Sequence, residues 1–309
     1  MAKAVSLFSG CGGSDKGVID AGFEILLAND ILPYAKEVYE ANLPPTDYRV
    51  CDISEIKSFP KADLLFGCYP CQGFSQGGAR DPERHVNYLY REFRRALDLM
   101  QPKAFIVENV SGMARADFQY LLNNQLRCFR LAGYKVSWSV LNAADYGVAQ
   151  ERKRIFIAGV KTRIGMRYSF PKPTHGPGMD RPWQTQRDAI ADLPGWPTGE
   201  FCEDKFHWYY LSRNRYRGWD EPSKTIVGKD RHIPLHPISP RLLRVNTDRW
   251  RFEHKGPARR LSYREAARLQ GLPFSFPDTV SLPMKYRVVG NAVPPPLFQA
   301  VAAAMPDIW

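Results

Sequence analysis

Short apolar runs alternate with helix-like segments through the first half of the chain. The apolar runs predict strands at residues 4–8, 23–29, 48–51, 62–66, 104–108, 135–141 and 154–160. Between them, Ser14 as an N-cap with Gly22 as a stop, Pro33 in a first turn, and periodic runs at 88–100 and 117–131 predict helices. This alternation is typical of a parallel sheet with crossover helices, so we predict an α/β fold.

The pattern changes in the second half of the chain. Pro, Trp, Tyr and Arg become frequent and periodicity fades over residues 165–257. A helix returns at 261–270, where Ser262 and Glu265 form a capping box and Gly271 is the stop. A strand at 286–290 and a helix at 297–304 follow. We predict a first domain at 1–164, a smaller irregular domain at 165–257 and a closing segment at 258–309.

Basic residues outnumber acidic ones along the chain. The 309 residues include 43 Lys and Arg against 32 Asp and Glu, a formal net charge of +11. This balance favours a polyanionic partner such as nucleic acid, although solubility alone also explains a basic surface. The N-terminal residues lack a signal-peptide core and no apolar stretch is long enough to span a bilayer. We expect a cytoplasmic protein, associated with the nucleoid, with no membrane partner.

Cys68 and Cys71 form a Cys-x-x-Cys pair directly after a predicted strand. The spacing is compatible with a redox pair, a zinc site, packing, or a lone nucleophile on a strand-end turn. A single such pair does not complete a tetrahedral zinc site, so no metal is expected. Because chemistry in α/β proteins often lies at strand ends, we interpret Cys71 as a nucleophile and Cys68 as a packing residue.

The turn after the first strand is rich in glycine and lets the backbone approach a ligand closely. Its spacing fits neither the dinucleotide pattern nor a P-loop, which favours a nucleoside without a pyrophosphate. Asp30 follows at the distance where a carboxylate accepts ribose hydroxyls, and Asp52 with Ile53 comes after the third strand. Each carboxylate alone would also suit a helix cap or a solvated turn.

Two further segments carry groups that suit a pyrimidine base. Glu108 and Asn109 end an apolar strand, where a carboxyl group held protonated can give a proton to a ring nitrogen. Arg152 and Arg154 lie on one face if their segment is already part of the next strand, and guanidinium groups suit a base oxygen or a phosphate. A charged strand edge explains the arginines equally well. Together the groups suit thiolate addition to C6 of cytosine and alkylation at C5.

Six segments in the same order resemble the DNA (cytosine-5)-methyltransferases, at residues 8–13, 70–75, 108–110, 150–154, 260–273 and 290–294. The resemblance implies a Rossmann-like, S-adenosylmethionine-dependent methyltransferase domain with a mixed, mostly parallel sheet, and a smaller irregular target-recognition domain at 165–257. It implies that S-adenosylmethionine is converted to S-adenosylhomocysteine as C5 of a flipped cytosine in a specific double-stranded DNA sequence is methylated.

The resemblance also assigns residues to roles. The catalytic residues would be Cys71 as nucleophile, Glu108 as acid, Arg154 on the flipped cytosine and Arg152 in support. The cofactor would contact Phe8, Gly10, Gly12, Gly13, Asp30, Ile31, Asp52, Ile53, Pro70, Asn291 and Ala292. The substrate would contact Tyr69 through its carbonyl oxygen, which would accept from the exocyclic amino group, and Gln72, Ser75, Gln76, Asn109 and Thr225. Residues 75–85 would form a loop that closes over the base.

The sequence departs from the family at two places. Ser6 stands where the family usually has Asp, and Cys68-Tyr69 replaces the more frequent Gly-Pro before Pro70. Neither removes a catalytic group. We expect a monomer, and a restriction endonuclease of the same system that makes no direct contact. The alternatives are a tRNA cytosine-5 methyltransferase on the same fold, a catalytically silent DNA-binding protein, and a thiol oxidoreductase built on Cys68 and Cys71.

Overall fold

The computed structural model describes residues 1–70 and 88–309 of the chain. Their contacts form two compact units. One comprises Met1–Asn142, Lys153–Lys172 and Leu297–Trp309, and the other comprises Ala143–Arg152 and Pro173–Pro296. The bounds predicted from sequence instead assign residues 143–152 to the first domain and 258–296 to a closing segment.

A mixed, mostly parallel sheet forms the centre of the first unit, which confirms the predicted α/β class. Its strands in the described residues are ordered β3-β2-β1-β4-β5-β7-β6. All neighbours pair in parallel except β5 with β7 and β7 with β6. The strands are β1 Ala2–Leu7, β2 Phe23–Asp30, β3 Asp47–Val50, β4 Leu64–Gly67, β5 Ala104–Val110, β6 Tyr134–Asn142 and β7 Lys153–Lys161.

Helices cover this sheet and close its core. The first unit contains α1 Gly13–Asp20, α2 Pro33–Glu40, α3 Tyr90–Met100 and α4 Gln119–Leu131, with α8 Pro295–Ala303 from Leu297 onward. The four residues of β4 are all buried, as expected for a strand covered on both faces. Phe93, Phe105 and Phe129 pack with ring centroids 4.9 to 6.0 Å apart and join α3, β5 and α4. Phe93 also packs against Tyr69, with ring centroids 6.0 Å apart, so the core extends to the residues that follow β4.

The sheet topology brings the predicted chemical residues to one edge. The carboxyl ends of the parallel strands β1, β2, β4 and β5 share that edge, and antiparallel β7 starts there. The chain order reverses between β1 and β4, which is where ligands bind in open α/β sheets. Phe8, Asp30, Cys68, Glu108 and Arg154 are each at or next to such an end.

The second unit is largely irregular. Its described elements are α5 Gln186–Ile190, the hairpin of β8 Leu242–Asn246 and β9 Arg249–Phe252, α6 Tyr263–Leu269 and α7 Leu282–Asn291. Ser262 caps α6, and Glu265 completes the capping box as predicted. The predicted strand at 286–290 is wrong, because these residues lie within α7. Among the described residues, no helix has the length and apolar character needed to cross a membrane.

Candidate active site

A carboxylate and a guanidinium meet where β5 and β7 pair. Glu108 is opposite Phe156 and Val110 is opposite Arg154, so Glu108 and Arg154 are diagonal neighbours on one face of the sheet. Their charged groups are 2.9 Å apart, and their side chains are only 8% and 14% exposed. Burial lowers the pKa of Arg154, and the charge of Glu108 opposes this shift. The ion pair with Arg154 favours the ionised form of the Glu108 carboxylate.

Cys68 directly follows β4 and lies near this pair. Burial, followed by the charge of Glu108, raises the pKa of the Cys68 thiol well above its usual value. A thiol in this environment stays protonated at neutral pH, so it is a poor nucleophile and a poor metal ligand. Cys68 is half-buried, and its role as a packing residue stays a prediction.

Tyr69 and Asn109 connect the ends of β4 and β5. The Asn109 Nδ2 amide donates to the carbonyl oxygen of Tyr69 at 3.0 Å, and both side chains are buried. The Asn109 Oδ1 atom accepts from the backbone N–H of Val110 at 2.8 Å. Asn109 therefore orients the Tyr69 carbonyl group, which the family resemblance predicts to contact the substrate. Whether that carbonyl contacts a base remains a prediction.

The turn from Phe8 to Gly12 adopts backbone conformations that few residues tolerate. Phe8 has φ of 59°, Gly10 has 53° and Gly12 has 88°. A side chain at Gly12 would meet Leu43 Cδ1 at 2.4 Å and Tyr39 Cδ2 at 2.8 Å, which explains its glycine. A non-glycine residue at positive φ is costly to hold and is often found at functional sites. Helix α1 begins at Gly13 and its N-cap is Gly12, so the prediction of Ser14 as the N-cap is wrong.

The ends of β2 and β3 provide the other predicted cofactor residues. The Asp30 carboxylate accepts from the Gly10 N–H at 2.9 Å and from the Leu32 N–H at 3.0 Å, which fixes it beside the turn. Ile31 is 61% exposed, whereas Ile53 is buried in the core. Asp52 accepts from the Ser54 N–H at 2.8 Å as a helix cap. An exposed apolar side chain next to an oriented carboxylate suits a nucleoside.

A buried hydrogen-bond network beneath this turn was not identified from the sequence. Asp15 is fully buried and accepts from the hydroxyls of Ser6 at 2.9 Å, Ser14 at 3.1 Å and Tyr39 at 3.1 Å. Ser9 in turn donates to Ser6 at 2.7 Å. The carboxylate usual in the family at position 6 is thus replaced by a hydroxyl that donates to a carboxylate on α1.

Arg152 lies in the second unit. Its guanidinium donates to the carbonyl oxygens of Ile226, Gly290 and Ala292 at 2.9 to 3.1 Å, and the residue is 2% exposed. Because β7 begins at Lys153, Arg152 precedes the strand, and the condition on which a shared face with Arg154 was predicted is not met. These three hydrogen bonds hold the Arg152 side chain within the second unit, and we call them the Arg152 clamp. That Arg152 supports Arg154 remains a prediction.

The other predicted residues of the second unit are near this clamp. Thr225 donates to the carbonyl oxygen of Glu151 at 2.8 Å. The carbonyl oxygen of Ala292 also accepts from Gln270 at 2.8 Å, and Asn291 is the exposed last residue of α7. In the first unit, Pro70 is exposed at the end of the described segment. The predicted residues Cys71, Gln72, Ser75 and Gln76, and the loop at 75–85, lie outside the described residues.

The fold and the strand-end groups define a Rossmann-like α/β enzyme with a carboxylate and a guanidinium beside a nucleoside-type turn. The family model for C-5 cytosine-specific DNA methylases matches residues 2–307, so the chain belongs to this family and is a DNA (cytosine-5)-methyltransferase. The family and the fold imply that S-adenosylmethionine is its methyl donor and that DNA is its substrate.

Individual relatives are similar over almost the whole chain. Identity to the type II methyltransferase M.BsuRI of Bacillus subtilis is 37%, over 97% of this chain and 78% of that protein. Identity to the type II methyltransferase M.NgoPII of Neisseria gonorrhoeae is 36%, over 98% and 95%. A crystal structure of a candidate DNA modification methyltransferase encoded within an E. coli prophage has a TM-score of 0.73 at 22% identity, covering 98% of both chains.

Proposed function

We propose that the enzyme transfers a methyl group from S-adenosylmethionine to C5 of a flipped cytosine in a specific double-stranded DNA sequence. Cys71 would form a transient covalent bond to C6. The ion pair of Glu108 and Arg154, 2.9 Å apart at the edge of the sheet, carries this proposal. A carboxyl group and a guanidinium on one face suit the N3 and O2 atoms, which are adjacent on a cytosine ring.

The proposed reaction begins with addition of the Cys71 thiolate to C6, which moves electron density onto the ring toward N3. Glu108 would donate a hydrogen bond or a proton to N3, and Arg154 would donate to O2. Since the ion pair favours the ionised carboxylate, we propose that the base draws Arg154 away, and that burial under the base then favours the protonated acid. Glu108 would thus acquire its acid form only when the base is bound.

The electron-rich C5 then takes the methyl group, which S-adenosylmethionine supplies as an electrophile. A base removes the C5 proton, the double bond between C5 and C6 forms again, and Cys71 leaves as a thiolate. As Cys71 leaves, the proton lent to N3 returns to Glu108, and the base passes the C5 proton to solvent. C5 has then exchanged a proton for a methyl group, and the enzyme returns to its initial state once S-adenosylhomocysteine and the DNA leave. The target base must leave the duplex for Cys71 to reach C6, which implies base flipping.

The residues around the first turn suit the cofactor. Asp30 is fixed by two backbone N–H groups where it would accept ribose hydroxyls, and the exposed Ile31 would pack against adenine. The open space beside Gly10 would admit the methionine end. Because the relatives are type II methyltransferases, we also propose that this enzyme modifies DNA within a restriction-modification system.

Labelled methyl incorporation into DNA tests the assigned roles. We expect Cys71→Ala to abolish incorporation while DNA binding remains, since alanine cannot add to C6. Glu108→Gln should slow turnover by about 10²- to 10⁴-fold, the usual contribution of a general acid. Cys128→Ala on α4 is the matched control and should retain activity. Normal turnover by Cys71→Ala would refute the covalent mechanism.

A further inference from the structure

A buried polar pair joins the segment before Cys71 to helix α4. The Tyr69 hydroxyl donates to Gln125 Oε1 at 2.6 Å. Tyr69 is 3% exposed and Gln125 is 1% exposed. The other buried residues of α4 are apolar, namely Leu121, Leu122, Leu126 and Phe129. Gln125 is therefore a polar residue on the core-facing side of α4, and its hydrogen-bond partner Tyr69 directly precedes Pro70.

Tyr69 is held at three points. Its hydroxyl is bonded to Gln125 of α4, and its carbonyl oxygen accepts from Asn109 Nδ2 of β5 at 3.0 Å. Its ring makes an edge contact with Phe8, with centroids 6.1 Å apart, and a tilted contact with Phe93, with centroids 6.0 Å apart. The two hydrogen bonds are at opposite ends of the residue, so together they resist both translation and rotation of its backbone.

The residue type at position 69 explains why the backbone there needs the hydrogen bond made by the Tyr69 hydroxyl. The resemblance places a proline more often where this chain has Tyr69, and proline fixes the backbone angle φ through its ring. Tyrosine lacks that restriction, so a backbone carbonyl at this position needs another constraint. A phenylalanine would fill the same space without a buried hydroxyl that requires a partner.

We propose that the Tyr69–Gln125 pair positions the Tyr69 carbonyl oxygen to recognise the exocyclic amino group at C4 of the target base. Asn109 sets the direction of this carbonyl, and a carbonyl oxygen has two lone pairs with which to accept hydrogen bonds. The pair acts through the backbone and is a positioning device. The inference rests on the proposed function and adds to it the residues that distinguish cytosine from a base without the amino group.

Binding to matched duplexes tests the pair. The duplexes carry, at the site that the wild-type enzyme methylates, either cytosine or 2-pyrimidinone, which lacks only the C4 amino group. The ratio of the two dissociation constants is measured with S-adenosylhomocysteine present, in proteins that all carry Cys71→Ala so that no covalent bond to C6 forms. We expect Tyr69→Phe and Gln125→Met each to reduce the preference for cytosine by about three- to tenfold, the usual effect of one buried hydrogen bond.

Two further variants separate positioning from stability. The double variant Tyr69→Phe with Gln125→Met leaves no unpaired polar atom, so we expect it to recover thermal stability but not the preference. Tyr134→Phe removes another buried hydroxyl, which donates to the carbonyl oxygen of Pro102 at 2.9 Å away from the strand ends of the site. This control should lower stability and keep the preference.

A wild-type preference in both the Tyr69→Phe variant and the double variant would overturn the inference and leave the pair a packing feature. That result would leave the proposed function intact, because wild-type methylation would still occur. A wild-type enzyme that methylates no cytosine would overturn the proposed function and this inference with it.

Discussion

Asp15 shows how much a single buried residue can determine in this enzyme. Its carboxylate is fully buried beneath the turn proposed to bind the cofactor, and three hydroxyls donate to it. Burial raises its pKa from 3.8 to about 7, while the hydrogen bonds from Ser6, Ser14 and Tyr39 oppose the shift. Burial also raises the pKa of the nearby Tyr48, and the charge of Asp30 adds to this shift. The turn therefore rests on a group that titrates near neutral pH.

This shift predicts a pH dependence of stability. With a folded pKa of about 7 and an unfolded value of 3.8, the folded protein binds more protons between these values. The free energy of unfolding should therefore fall as pH rises through this window, by about 4 kcal/mol in total. Asp15→Asn should remove the fall. Denaturant unfolding at pH 5 and pH 8 measures the difference between the two proteins.

Asp20→Asn on the same helix is the control for this experiment. Asp20 is exposed at the end of α1, so its replacement should leave the pH dependence of the wild type unchanged. Parallel pH profiles for wild type and Asp15→Asn would show that Asp15 does not titrate as described.

The residues missed from sequence are those whose meaning depends on distant partners. Cys68, Glu108 and Arg154 lie at or next to strand ends, as the apolar runs beside them predict, because a strand end can be recognised locally. Asp15 and Ser6 share a network only because β1, α1 and α2 fold together. Gln125 did carry a signal, because it occupies the apolar face of α4. A polar residue at such a position indicates a buried partner but does not identify it.

Helix α6 illustrates the elements that local signals define well. Ser262, Glu265 and Gly271 marked its two ends, and the structure has the capping box. The sequence did not reveal that the Glu265 carboxylate also accepts hydrogen bonds from both terminal nitrogens of Arg259, at 2.6 and 2.8 Å. His236 Nε2 lies 3.5 Å from the same carboxylate, and burial lowers the pKa of His236 to about 4. The start of α6 is thus fixed by a buried ion pair as well as by its cap.

Loss of this carboxylate should destabilise the second unit strongly. The Arg259 and Glu265 side chains are 0% and 1% exposed, so Glu265→Ala leaves a buried charge unpaired. We expect a loss of about 3 to 5 kcal/mol in the free energy of unfolding. Asp220→Asn is the control, because it breaks an ion pair with Arg187 whose side chains are 79% and 55% exposed, and it should change stability little. Equal effects of the two changes, measured by chemical denaturation, would contradict the role of the buried pair.

Helix α7 shows where local patterns fail. The segment at 286–290 contains consecutive valines and was predicted as a strand, but a short apolar run does not separate a strand from a buried helix. A side chain at Gly290 would meet the Gly228 nitrogen and the Val227 carbonyl carbon at 2.2 Å. Helix α7 thus packs closely on the backbone at 227–228, and this contact between residues far apart in sequence gives no local signal.

For the molecule as a whole, the net charge of +11 predicts how DNA binding responds to salt. The hairpin of β8 and β9 carries the exposed residues Arg244, Arg249 and Arg251. If these neutralise phosphates, counterions are released on binding, and affinity falls steeply as salt rises. Each Arg→Ala change at a phosphate contact should reduce the slope of log K against log salt by about 1. Titrations without salt dependence would contradict phosphate contacts.

The proposed mechanism determines the chemical identity of the methylated product. The most direct measurement incubates the purified protein with methyl-labelled S-adenosylmethionine and unmethylated duplex DNA, digests the DNA to nucleosides, and separates them chromatographically. We predict that the label appears in 5-methylcytosine and that none appears with the Cys71→Ala variant. Label in N4-methylcytosine or N6-methyladenine, or equal labelling by Cys71→Ala, would contradict the proposed mechanism.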